Sequence, residues 1–230
     1  MELIPNLHMI EGQRSNIYLW LGDGGPIMVD AGMPNDKDKI VRYIAEIGLK
    51  LAELKAIFIT HADLDHAGSA ASIQAQSGAT VYAGSETATF LKKGKSPKHM
   101  PLLVQLVIDQ FMSYPRLPSE VLQIVGDTDT VLESFDWQAL ATPGHTLDHY
   151  AFYSPTYGIL FAGDALSTRG DRLQGTPKRI TADWNAAIDS AKRLLLLHAA
   201  TIACGHGRPF INYDANIPIM LYRELDQETG

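Results

Sequence analysis

The amino-acid sequence predicts an α/β fold in which mixed β-sheets are layered with helices. Three observations carry this expectation. Short apolar and β-branched runs recur between turn-forming residues. A hairpin signal gives way to βαβ pieces, and the succession repeats in the second half. One segment near the C-terminal end carries a clean helical stripe. The first strand-like runs are Ile17–Leu21 and Ile27–Val29, joined by Gly22-Asp23-Gly24-Gly25-Pro26, which reads as a hairpin turn. Asn35 then reads as an N-cap, Ile40, Ile44 and Ile47 follow at helical spacing, and Gly48 stands where a helix stops. Residues 56–59 read as a short buried strand, 68–77 as a helix ended by Gly78, and 80–83 as another strand.

In the second half, residues 121–125, 137–141, 149–154 and 159–162 have strand composition, with Tyr157-Gly158 as a turn. The segment 183–197 places Trp184, Ala187, Ile188, Ala191, Leu194 and Leu195 on one helical face. Residues 201–203 read as a last strand. The segment 92–118 differs: it opens on Lys92, Lys93, Lys95 and Lys98, then runs into a nearly all-apolar stretch, 102–112. A helix apolar almost all round must be covered on several sides. It reads as a core helix, a lid over a site, or a dimer face.

A chain of 230 residues fits one large domain or two small ones, and no linker divides it. It is read as a single domain, 1–230, with a helical, lid-like insertion around 92–118. Its formal charge of −7 speaks against nucleic acid as a partner. The single cysteine cannot make an internal disulfide. No signal peptide and no membrane-spanning run is read, so a cytoplasmic location is expected, with no membrane partner. The expected partner is a small-molecule substrate, with a homodimer as an option.

Chemistry concentrates in Thr60-His61-Ala62-Asp63-Leu64-Asp65-His66, directly after an apolar strand. Imidazole and carboxylate are the usual ligands of zinc, iron and manganese. So many such groups packed together would be an electrostatic liability without a cation. Three further segments each end a predicted strand with one His or Asp beside glycine: Pro143-Gly144-His145, Gly163-Asp164 and Gly205-His206-Gly207.

In this order the residues resemble the metallo-β-lactamase superfamily, whose motifs are His-x-His-x-Asp-His, then Gly-His, a Gly-Asp and a final His. The resemblance runs from Asp30-Ala31-Gly32, similar to the family's Asp-x-Gly turn, to His206. It implies an αββα four-layer sandwich of two mixed sheets flanked by helices, and a glyoxalase-II-like, metal-dependent hydrolase. Carried over, His61, Asp63 and His145 would bind one metal ion, Asp65, His66 and His206 a second, and Asp164 would bridge them. Zinc is the leading ion, with iron or manganese as alternatives. Asp65 and Asp164 would be the catalytic residues of a metal-bound hydroxide acting on a small activated ester, thioester, lactone or β-lactam. The alternative is an iron-dependent redox enzyme of the same fold, of the sulfur dioxygenase or diiron oxidoreductase type. Asp63 departs from the family, which usually has His there. The ligands then carry three negative charges, which makes a weaker Lewis acid and leans toward harder metals.

His149 is read as supporting a ligand. Phe111, Met112 and Tyr114 are expected to form an apolar wall of the substrate pocket, and Arg172 to hold a substrate carboxylate. Cys204 reads as a small buried residue, and His8, His99 and His198 receive no function.

Overall fold

The hairpin signals at the start of the chain become an antiparallel meander, and the apolar runs after them become parallel strands covered by helices. In this computed structural model the described residues are 1–99, 105–106, 113–127, 130–131, 137–211 and 216–228. They fall into two compact units, Met1–Pro97 with Leu106–Val125, and Lys98–Gln105 with Gly126–Gly230.

The first unit carries a seven-stranded sheet in sequential order: β1 (Glu2–Ile4), β2 (Leu7–Glu11), β3 (Asn16–Trp20), β4 (Ile27–Val29), β5 (Ala56–Phe58), β6 (Thr80–Ala83) and β7 (Leu122–Ile124). The β1–β4 pairings are antiparallel and those from β4 to β7 are parallel. Every residue of β3, β4 and β5 is buried, which is why these strands read as continuous apolar runs rather than alternating ones. The unit's helices are α1 (Lys37–Glu46), α2 (Leu64–Ala67), α3 (Ala70–Ser77) and α4 (Ser85–Lys93). Helix α1 buries Ile40 and Ile44, and the chain leaves it through Gly48 at φ +82°. A 3-10 turn, Pro34–Asp36, precedes α1 and displaces the expected Asn35 cap to Asp36. The helix expected over 68–77 is broken into α2 and α3 at Gly68-Ser69.

The second unit carries a six-stranded sheet. Its strands in chain order are β8 (Thr130–Val131), β9 (Trp137–Ala141), β10 (Tyr150–Ser154), β11 (Ile159–Gly163), β14 (Thr201–Cys204) and β15 (Phe210–Ile211), and in space they run β15-β14-β11-β10-β9-β8. Only the β11–β14 pairing is parallel. A separate hairpin pairs β12 (Leu166–Arg169) with β13 (Arg172–Gly175). The crossover between β11 and β14 contains α5 (Trp184–Leu195), and α6 (Asn216–Glu228) follows β15. The Asp183 carboxylate caps α5 by accepting from Ala186 N at 3.0 Å. The stripe read from the sequence is the buried one: Ala187, Ile188, Ala191, Leu194 and Leu195. Among the described residues, no helix is long and apolar enough to cross a membrane.

Of the apolar segment 102–112, only Gln105 and Leu106 are described, both helical. The rest, including Phe111 and Met112, lies outside the described residues.

Candidate metal centre

In the first unit the His-rich loop leaves the C-terminal end of β5, beside the turn that leaves β4. Asp30 follows β4 in the left-handed region, at φ +58°, and its amide donates to Phe58 O at 2.8 Å. This aims a buried carboxylate at the loop. Asp30 Oδ1 accepts from Thr60 N at 2.9 Å. Both carboxylate oxygens lie within reach of the Thr60 hydroxyl, at 3.0 and 2.9 Å. Asp30 Oδ2 lies 2.8 Å from His66 Nδ1. A carboxylate only accepts, so Nδ1 of His66 carries the proton and Nε2 keeps its lone pair. Thr60 spends its own proton on Asp30 and therefore accepts from His61 Nδ1, 3.0 Å away. One carboxylate thus sets the tautomer of His66 directly and of His61 through a hydroxyl. The two rings stand 4.1 Å apart, both fully buried.

Asp63 sits at the N-cap of α2, where its carbonyl accepts from His66 N at 3.0 Å and Ala67 N at 2.8 Å. Its Oδ2 lies 3.6 Å from His61 Nε2. Half-buried Asp65 offers a ligand atom within 4.8 Å of one on His66, and its carbonyl accepts from the Ser15 hydroxyl.

In the second unit the convergence centres on Asp164, at the end of β11. Asp164 Oδ2 lies 3.5 Å from His145 Nε2 and 3.1 Å from His206 Nε2. Thr176 Oγ1 stands 3.3 Å from His145 Nδ1, so that ring too turns Nε2 toward the carboxylate. Gly144, at φ +145°, brings the His145 turn onto α5: a Cβ there would lie 2.3 Å from Ala187 Cα. The turn is pinned by Ala182 N donating to His145 O at 3.1 Å and Asp183 N to Gly144 O at 3.0 Å. His206 is held by Thr168 N donating to its carbonyl at 3.1 Å.

Behind Asp164 lies His149, fully buried. The Asp164 amide donates to His149 Nε2 at 3.0 Å, so Nδ1 bears the proton and donates to Thr142 Oγ1 at 2.7 Å. Through this neutral ring the β9–β10 turn fixes the main chain of Asp164.

A donor-set test favours a metal ion. Two donors about 2.0–2.1 Å from a tetrahedral ion lie about 3.3 Å apart. The in-unit nitrogen–oxygen pairs fall at 3.1, 3.5 and 3.6 Å. His61, His66 and His145 each engage Nδ1 with a Thr or Asp oxygen, the arrangement that prepares Nε2 for a metal.

The remaining expected residues are placed as follows. Tyr114 is 5% exposed, in the core of the first unit. Its hydroxyl lies 3.0 Å from Ala62 O and 2.8 Å from Lys95 O, as donor to both. Burial and the neighbouring Asp63 charge push that hydroxyl pKa up. The residue expected on a substrate wall thus braces the backbone between His61 and Asp63. Arg172 is exposed on β13 and pairs with Glu224 of α6 at 2.8 Å. Cys204 is fully buried among the apolar residues of the second unit, and burial pushes its thiol pKa up. The sequence reading missed Thr60, Thr142 and Thr176 as supports, and gave no part to His99, whose ring packs edge-on against His145 at 4.7 Å. Each missed threonine follows or precedes a histidine only in space or by one residue, which leaves no pattern to read.

Comparison with known proteins agrees with this geometry. The family model described as Metallo-beta-lactamase superfamily matches residues 10–206. A probable metallo-hydrolase, YflN, of Bacillus subtilis is 27% identical over 227 residues, covering 90% of this chain and 86% of that one. A hydroxyacylglutathione hydrolase of Albidiferax ferrireducens is 26% identical over 195 residues, which is 81% of this chain and 63% of that relative's length. Among solved structures, a metallo-beta-lactamase family protein from Thermus thermophilus matches with a TM-score of 0.71 at 22% identity, over 97% of this chain and 80% of that one. That likeness bears on the fold, and the mixed sheets flanked by helices are of the expected class.

Proposed function

This chain belongs to the metallo-beta-lactamase superfamily, and from that premise we propose that it is a metal-dependent hydrolase of a small activated acyl substrate, a thioester first. The observation that carries the reading is the convergence of oriented imidazoles on carboxylates within each unit. His145 and His206 present Nε2 to one oxygen of Asp164, and His61 presents Nε2 to Asp63. The ligand assignment proposed is His61, Asp63 and His145 for one ion, and Asp65, His66 and His206 for a second, with Asp164 shared. Nitrogen and oxygen donors without thiolate suit zinc, and the carboxylates admit iron or manganese. Divalent ions, when bound, supply a water acidified toward neutral pH and an electrophile for the substrate carbonyl.

The chain's own residues do the positioning. Asp65 would orient the attacking water as well as ligate. His149 holds the Asp164 main chain, and Asp30 with Thr60 holds the rings of His61 and His66 in the metal-binding tautomer. No protein nucleophile is invoked, which suits a thiol as deeply buried as that of Cys204. The thioester preference is supported by the relatives called hydroxyacylglutathione hydrolase. Lactones, β-lactams and other small esters follow as alternatives.

The experiment is metal analysis on protein purified without added metal, paired with a hydrolysis panel of thioesters, lactones, β-lactams and aryl esters. The expected result is two equivalents of divalent metal and thioester turnover that chelation abolishes. Asp164→Asn is expected to lose turnover while its circular dichroism spectrum stays that of the wild type. Stoichiometric iron with oxygen uptake and no hydrolysis would overturn the reading in favour of redox chemistry.

A further inference from the structure

We propose that His99 is a further ligand of this metal centre, returning to the ion of His61, Asp63 and His145 the imidazole that Asp63 takes away. The inference rests on the metal-centre reading above. It starts from placement. The stretch Lys98–Gln105 belongs to the second unit, the one that holds His145. The His99 ring meets the His145 ring edge-on, with centroids 4.7 Å apart and planes at 64°. A ligand atom of His99 lies within 4.8 Å of one on His145. The residue as a whole is half-buried, yet both ring nitrogens are shielded from solvent. The polar edge of the ring is therefore turned inward and its apolar part outward, the reverse of a surface histidine.

Turning a polar edge away from water costs free energy unless that edge is used. His145 fixes what the use can be. Its Nδ1 is engaged by Thr176, so the open nitrogen of the pair's inner ring is Nε2, the atom directed at Asp164. A second imidazole beside that ring adds a donor in the right neighbourhood.

The chemistry of position 63 supplies the motive. Relatives by resemblance carry His there, and this chain carries Asp63. The exchange lowers the charge of the centre by one unit and removes one nitrogen donor. A neutral imidazole from elsewhere in the chain restores the nitrogen without altering the charge again. Zinc accepts a change from four to five ligands, so Asp63 and His99 need not exclude each other. Ligation through His99 would also tie the basic segment that begins at Lys92 to the centre, making metal binding and the position of that segment one event.

The test is titration of the metal-free full-length chain with Zn2+ against a chromophoric chelator, and with Co2+ followed by its visible absorption. The proteins are wild type, His99→Ala, His99→Asn, Asp63→His and the double variant Asp63→His/His99→Ala. His99→Ala is expected to weaken one of two ions at least tenfold and to change the cobalt spectrum, with His99→Asn behaving alike. In the double variant the imidazole restored at position 63 is expected to bring affinity back to within about threefold of wild type. Wild-type affinity and an unchanged cobalt spectrum in His99→Ala would overturn the proposal and leave the metal-centre reading standing. A defect in His99→Ala absent from His99→Asn would assign the effect to ring packing and overturn it equally. Failure of the wild-type chain to bind any ion would overturn the metal-centre reading and this one together.

Discussion

Asp30→Asn isolates the orientation of the histidines from every other property of the centre. Asparagine is among the few residues that tolerate the left-handed region, so the backbone at φ +58° is kept and the side chain is isosteric. What changes is one acceptor. If the amide oxygen keeps the 2.9 Å bond from Thr60 N, the new NH2 group stands where Oδ2 accepted from His66 Nδ1 at 2.8 Å. Two donors then face each other. His66 relieves the clash by moving its proton to Nε2, which fills the lone pair meant for the metal. Losing a charge-assisted hydrogen bond costs about 1.5–3 kcal/mol. Loss of a group that orients a ligand histidine typically weakens metal affinity about 10–100-fold, or about 1.4–2.7 kcal/mol. The two estimates agree, so a Kd for zinc raised about 10–100-fold is expected. The assay is chelator competition on folded, metal-free protein. Asp36→Asn is the control. Asp36 is also a buried carboxylate, accepting from Gln13 N at 3.0 Å and Met33 N at 2.8 Å, and its hydrogen bonds go to main-chain amides. It is expected to lower stability and leave zinc affinity alone. Wild-type affinity in Asp30→Asn, or an equal loss in Asp36→Asn, would refute the reasoning.

Three further outcomes are expected. In Gly144→Ala the new Cβ would stand 2.3 Å from Ala187 Cα and 2.4 Å from Ala187 N; main chain cannot yield as a side chain does, so Tm should fall by about 6 °C or more, and an unchanged melting curve would refute the close packing of the His145 turn on α5. Tyr114→Phe deprives Ala62 O and Lys95 O of their donor, at about 1–3 kcal/mol, read as a lower denaturant midpoint with an unchanged m-value; no shift would place the hydroxyl outside the support of the His61–Asp63 backbone. Cys204, whose thiol pKa burial pushes up, should resist iodoacetamide in the folded protein and react after denaturation, as mass spectrometry would show; rapid labelling of the native chain would contradict its place in the core.

The parts of the fold legible in the sequence were those where one force acts alone. Strands β3, β4, β5 and β11 are buried along their whole length, so they wrote themselves as apolar runs, and α5 packs one face and wrote itself as a stripe. Strand β2 was missed because Leu7-His8-Met9-Ile10-Glu11 mixes burial with polar residues, and the β12–β13 hairpin because its register, Leu166 with Gly175 and Arg169 with Arg172, stabilises through pairing rather than composition. The helix α6 contains Pro218 near its start, which reads as a breaker yet is tolerated in a first turn.

The site divides along the same line. Its ligands could be read because each follows a strand, at the ends of β5, β9, β11 and β14, with a glycine or a turn beside it. The groups that orient them could not, because Asp30 reaches His66 across 36 positions and Thr176 reaches His145 across 31. That same wiring accounts for where the sequence was free to depart from its relatives. At position 61 or 66 a carboxylate would face Thr60 or Asp30 with an acceptor where a donor is needed, and would strand the Asp30 network in the core. Position 63 has no such requirement. It is an N-cap with φ −67° and ψ 148°, where aspartate ranks among the best residues and its negative charge suits the start of a helix. Of the three ligand positions on that loop, 63 is the one at which an imidazole can be exchanged for a carboxylate without rewiring what lies behind it.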